Sequence, residues 1–216
     1  MWLPRFTRLT RKALALLSAG AILVIGGCAA PGTQPAPEAS GTSPVATMPE
    51  VPAQALTLFE QAVAVMAAGD FVDAELRFKE FLLQYPDYPA AHVNLAIINA
   101  ENGDSEAALQ AVGRALALNP EYPPALNQQG LLLRRNGKFL EAEAAYMKAV
   151  TASPDYALAH YNLGVLNELY LQRLDVALQH FEAYQTLVGD DKQVEKWIAD
   201  LRRRVAASQS TANVTE

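Results

Sequence analysis

One period governs most of this chain. Pro86, Pro120 and Pro154 stand 34 residues apart, and so do Gly69, Gly103 and Gly137, and Ala74, Ala108 and Ala142. Three residue types sharing one step mark an internal repeat whose units bury their apolar faces against their neighbours. A unit of this length holds two helices of about 14 residues each and short turns. The glycines end the first helix, where a left-handed residue is cheapest without a Cβ. Phe71 and Phe139 then open the second helix, and Ala74, Ala108 and Ala142 sit where the paired helices come closest. Phe78, Val112 and Tyr146 fill the space one turn later, opposite small residues on the first helix at Ala62, Ala96, Gly130 and Gly164. The prolines stop the second helix. An all-α chain follows.

This pattern resembles the tetratricopeptide repeat family over residues 55–188. The resemblance implies a right-handed α-solenoid of about four helix pairs spanning 53–190, with units at 55–88, 89–122, 123–156 and 157–190. The fourth unit departs from the others. Ala177 follows Ala142 by 35 residues, the turn at 171–175 has one extra residue and no glycine, Tyr184 replaces a small residue, and no proline closes the unit. Such departures suit a terminal repeat. Val194, Trp197, Ile198, Leu201 and Val205 recur at helical spacing, which predicts a capping helix over 191–206 with its arginines, Arg202, Arg203 and Arg204, complementing the helix dipole. Residues 207–216 are expected to fray.

In this family the first helices line a concave groove. Carried over, that implies a protein- or peptide-binding face of Asn94, Ile97 and Glu101, then Asn127, Gln128, Leu131, Arg134 and Arg135, then Tyr161, Asn162, Val165 and Glu168, with Val93 and Leu158 beside them. Leu56, Phe59, Val63 and Met66 give the first unit an apolar share. Asn94, Gln128 and Asn162 form an amide ladder with one rung per unit. Carboxamides donate and accept, so such a ladder can clamp an extended backbone or bond a neighbouring helix. The groove lacks the basic pattern with which chaperone-binding members hold a C-terminal carboxylate.

The N-terminus has a separate logic. Residues 1–12 carry Arg5, Arg8, Arg11 and Lys12 without an acid, and residues 13–27 are an uncharged apolar run. Fifteen residues fall short of the roughly 20 that span a bilayer as a helix and fit a removable signal segment. The run ends Ile25-Gly26-Gly27-Cys28, which resembles the lipobox of bacterial lipoproteins. That resemblance implies cleavage of 1–27 and lipid on Cys28, the chain's one cysteine. With Ala29 next, it also implies the periplasmic face of an outer membrane. Residues 29–52 hold six of the 13 prolines and read as a disordered linker of the 28–52 segment. Its reach is on the order of 75 Å fully extended as polyproline and roughly 25–30 Å as a coil.

Chemistry is sparse. The whole chain has 17 Lys+Arg against 23 Asp+Glu, a net of −6; without the four N-terminal bases the remainder is −10, which argues against nucleic acid. A lone cysteine gives neither a disulfide framework nor a cysteine zinc site. His92 and His160 share one register and read as packed structural histidines, with His180 elsewhere. No phosphate loop, nucleophile elbow or zincin motif occurs. The expected protein is a non-catalytic, lipid-anchored scaffold with no metal, small-molecule substrate or cofactor beyond the lipid on Cys28. Its expected partner is an envelope protein or extended peptide segment. Resemblance extends to lipid-anchored repeat proteins that act as pilotins for pilus secretins or as assembly adaptors. An accessory of a TonB/ExbB-type energised machine and a subunit of a cell-wall enzyme complex are the alternatives.

Overall fold

The computed structural model describes residues 52–212, with side chains through 210. Cys28, the signal segment and nearly all of the linker lie outside the described residues. Helices alone make up the described regular structure: α1 (Ala53–Ala67), α2 (Phe71–Gln84), α3 (Pro89–Glu101), α4 (Ser105–Leu118), α5 (Pro123–Arg135), α6 (Phe139–Ala152), α7 (Ala157–Leu169), α8 (Leu174–Val188) and α9 (Lys192–Ala212). Each odd helix through α7 packs on the even helix after it, and successive pairs stack. The first helices also meet side by side, α3 on α5 and α5 on α7.

The turns follow from their residues. Gly69, Gly103 and Gly137 adopt φ of 87°, 84° and 74°, which a Cβ disfavours. Asp70 and Asp104 then cap α2 and α4, their carboxylates accepting from the backbone N–H of Asp73 at 3.0 Å and Ala107 at 2.9 Å. The closing prolines follow C-caps at Tyr85, Asn119 and Ser153. Beyond them, Pro89 and Pro123 begin α3 and α5, where a missing N–H costs nothing.

Packing is set by size at the crossing points. Ala62, Ala74, Ala96, Ala108, Ala142 and Ala177 are fully buried, as are Phe78 and Tyr146. Each buried ring of this kind contributes roughly 1.5–3 kcal/mol. Gly130 and Gly164 are small because something large faces them. A Cβ on Gly130 would lie 2.5 Å from the Tyr146 ring, and one on Gly164 would lie 2.7 Å from the Phe181 ring. His92 and His160 tie their helices to the preceding turn, each with Nε2 donating to a proline carbonyl, Pro86 and Pro154, at 3.1 Å.

Three features differ from the sequence expectation. The fourth turn is shorter than 171–175, because Leu174 and Asp175 already belong to α8; Gln172 takes the left-handed place at φ 55°. The capping helix runs past 206 to Ala212, where Ala206, Ala207 and Ala212 favour helix and the Ser210 hydroxyl is taken up by the Ala206 carbonyl. Arg202, Arg203 and Arg204 therefore sit inside α9, away from its C-terminus. They pair with Glu182, Asp200 and Glu168 at 2.8, 2.9 and 2.8 Å.

Candidate functional site

The face built by α3, α5 and α7 holds the predicted groove residues, and most of them reach one repeat along rather than into open space. Asn162 on α7 donates from Nδ2 to Asn127 Oδ1 on α5 at 2.9 Å, with both amides buried. Arg135 on α5 pairs with Glu101 on α3 at 2.9 Å and also donates to the Ala100 carbonyl. Glu168 on α7 receives Arg204 of α9. These partners lie 34, 35 and 36 residues apart, at or just beyond the repeat step of 34.

The amide ladder divides. Asn94 donates to the Ala90 carbonyl of its own helix at 3.1 Å, Asn162 bonds the neighbouring helix, and Gln128 is buried on the same face. Ile97 packs with Val93, Ala115 and Ala125. In the last repeat, Tyr161 and Val165 pack against the cluster formed by Phe181 and α9. Tyr161 lies 5.3 Å from Tyr184 and 6.1 Å from Trp197, ring centre to ring centre. Burial raises the Tyr161 phenol, and Asp191 adds to the effect. The capping helix thus engages Tyr161, Val165 and Glu168, leaving the accessible stretch of this face to the earlier repeats.

Arg134 is different. It is half-buried in the last turn of α5, its guanidinium 5.9 Å above the ring of Tyr170, and no carboxylate pairs with it among the described residues. Tyr170 stands where Asn102 and Asn136 end the first helices of earlier repeats, and its ring also lies 4.7 Å from that of Phe139. Sequence reasoning passed over Tyr170; its replacement of an asparagine at one register was the available signal. Passed over too was the contact of His180 with His160, Nδ1 to Nδ1 at 3.2 Å. Because His160 Nε2 donates to Pro154, neutral His160 accepts at Nδ1 and His180 donates. Burial first, and His160 second, lower the His180 pKa to about 4.

Elsewhere, a cleft of ≈ 580 Å³ lies over α2, α3 and α4, bordered by Lys79, His92, Asn99 and Arg114, and holds none of the predicted groove residues. Among the described residues, no three His, Cys, Asp or Glu are placed to hold a metal ion, and no helix is long and apolar enough to cross a membrane.

The tetratricopeptide repeat model matches residues 59–124 and 127–192, more than half of the chain. The chain belongs to the tetratricopeptide repeat family. Among solved structures, pilF of Pseudomonas aeruginosa is similar with 23% identity over 72% of each chain and a TM-score of 0.63. A thermophilic repeat protein of Thermus thermophilus is 23% identical over 69% of this chain and 82% of that one, at a TM-score of 0.60. The first repeat domain of Spaghetti (RPAP3), bound to an HSP90 peptide, is 18% identical over 55% of this chain and 95% of its own, at 0.51. At these identities the likeness is one of fold. No curated protein matches the chain. The family assignment makes this an all-α tetratricopeptide solenoid of the protein-interaction class.

Proposed function

We propose that this chain is a lipid-anchored adaptor of a bacterial envelope, held by acyl groups on Cys28 to the periplasmic face of the outer membrane. Its first-helix face docks an extended segment of another envelope protein, and the chain has no catalysis of its own. The observation that carries the docking role is the repeat-to-repeat bonding of that face. Asn127 with Asn162, and Glu101 with Arg135, fix the first helices in register before any partner arrives. A face ordered in advance spares a partner part of the entropic cost of binding. Lipid on Cys28, with the linker behind it, confines the face to a layer near the membrane and raises its local concentration there.

A pilotin-like role in secretin assembly is the specific form favoured here. Its supports are the lipobox-like residues at 25–28 and the resemblance of a lipid-anchored repeat chain to pilotins; with pilF of Pseudomonas aeruginosa it shares the repeat fold. Two measurements test it. Cys28→Ser should move the protein from the membrane fraction to the soluble one, and retention would remove lipid anchoring from the proposal. Deletion of the gene should lower secretin multimers on semi-native gels. Unchanged multimers with altered energised uptake would favour the TonB/ExbB accessory instead.

A further inference from the structure

We propose that His160 and His180 form a two-imidazole site for a tetrahedral metal ion, Zn²⁺ or Cu⁺, between α7 and α8. The site uses none of the docking-face residues and does not depend on the docking role.

The first observation is the geometry. His160 Nδ1 and His180 Nδ1 face each other at 3.2 Å, with ring centres 5.4 Å apart. Metal–imidazole bonds are about 2.0–2.1 Å long, so one ion bonded to both nitrogens would subtend roughly 100–106° between them. That is close to the tetrahedral angle. A square-planar ion needs the nitrogens nearer, at about 2.9 Å, and a linear one farther apart, at about 4 Å. The far side of His160 is in order too. Its Nε2 donates to the Pro154 carbonyl at 3.1 Å, which fixes the tautomer and leaves the Nδ1 lone pair aimed at His180. A carbonyl on the other ring nitrogen is the usual support of a metal-bound histidine.

The second observation comes from comparing repeats. His92 keeps the register of His160, is as deeply buried, and makes the same bond to a closing proline, Pro86. Ala111 holds the register of His180, and with His92 it borders the ≈ 580 Å³ cleft. One histidine and an alanine therefore suffice to pack this level of the stack. The second imidazole in the last repeat is surplus to packing and carries a cost, since burial lowers its pKa to about 4. The same burial keeps the ring neutral at pH 7, the form that binds metal. In the metal-free chain one hydrogen lies between the two Nδ1 atoms, donated by His180. On binding, His180 carries that hydrogen on Nε2 instead, so both lone pairs meet the ion and no proton is released. The cleft also indicates a further donor. Lys79 borders it with His92 and Ala111, and two repeats on its register is held by Met147 of α6, which is 43% exposed. A thioether in the third position selects Cu⁺, whereas water there suits Zn²⁺.

The test uses the full, untagged chain with Cys28→Ser, which removes the one thiol from competition. Zn²⁺, or Cu⁺ kept reduced by ascorbate, is titrated in while two-bond ¹H–¹⁵N spectra follow the histidine ring nitrogens. Expected is saturation at one ion per chain, with Nδ1 of both His160 and His180 shifting and His92 unmoved. In competition with a chromophoric chelator, adding His180→Ala should weaken binding at least about tenfold. A response to Zn²⁺ alone would support the site and assign it to Zn²⁺ with water. A response to Cu⁺ that Met147→Leu weakens would support it and assign it to Cu⁺ with the thioether. Failure of either ion to shift both rings by one equivalent, or equally tight binding by His180→Ala, would overturn the site. Because the ring spectra are read with both histidines in place, the test does not depend on how a histidine variant folds.

Discussion

Asn162 donates to Asn127 across 2.9 Å, from one repeat to the one before, and each amide is less than a tenth exposed. A buried carboxamide stripped of its partner pays its desolvation without return. Asn162→Ala should therefore destabilise the array by about 1–3 kcal/mol, read as a lower urea midpoint at unchanged slope. Asn94→Ala, whose bond stays within its own half-buried helix turn, should cost less than about 0.5 kcal/mol. Equal losses would mean that the cross-repeat bond does not hold the face in register.

Glycine to alanine should have opposite signs at two places. At Gly130 the new Cβ would strike the Tyr146 ring, which is buried and has nowhere to go, so Gly130→Ala should destabilise by about 1–3 kcal/mol or more. Gly113 lies in the middle of α4 with nothing within 4 Å of its would-be Cβ. There, alanine removes backbone entropy from the unfolded chain and should stabilise by roughly 0.5–1 kcal/mol. Thermal unfolding of the two variants side by side decides it. Destabilisation by Gly113→Ala would contradict the open surroundings seen there.

The capping helix should be held by its apolar stripe rather than by its arginines. Leu201 is fully buried, with Val194 and Ile198 alongside and Trp197 5.6 Å from Phe181, ring centre to ring centre. Leu201→Ala should cost about 2–5 kcal/mol. Arg204→Ala breaks a surface ion pair with Glu168 and should cost no more than about 1 kcal/mol. Denaturant titration compares them. A larger loss from Arg204→Ala would show that the charge bond, and not burial, seats α9 on the last repeat.

The contrast between those two variants also marks where sequence was enough. Val194, Trp197, Ile198 and Leu201 announce their helix through spacing alone, just as Gly69, Gly103 and Gly137 announce the turns, because local periodicity and a required left-handed φ leave a residue-level trace. The pairings on the inner face leave no such trace. Glu101 with Arg135, Asn127 with Asn162 and Glu168 with Arg204 are each about one repeat apart, so they become neighbours only after the stack forms. Register predicts which residues share that face; it does not predict which of them are already satisfied. The same holds for α9, whose length past 206 rests on the helix propensity of Ala206, Ala207 and Ala212 rather than on an apolar stripe.

His180 should make the protein less stable in mild acid. Folding holds its pKa at about 4, below the ordinary 6.5, chiefly through burial and then through His160. Between those values the unfolded chain takes up a proton that the folded chain refuses, so stability is full above about pH 6.5 and falls as pH is lowered toward 4. The slope has an upper bound of about 1.4 kcal/mol per pH unit from this one group. His92, also lowered by burial, acts in the same direction. His180→Ala should flatten the profile, and the change suits the site, since Ala111 and Ala145 hold the same register in the repeats before it. Urea midpoints at pH 7 and pH 5, for the unaltered chain and the variant, measure the difference. If the variant kept the whole pH dependence, His92 or the carboxylates would have to supply it, and the His160–His180 contact would carry no acid sensitivity.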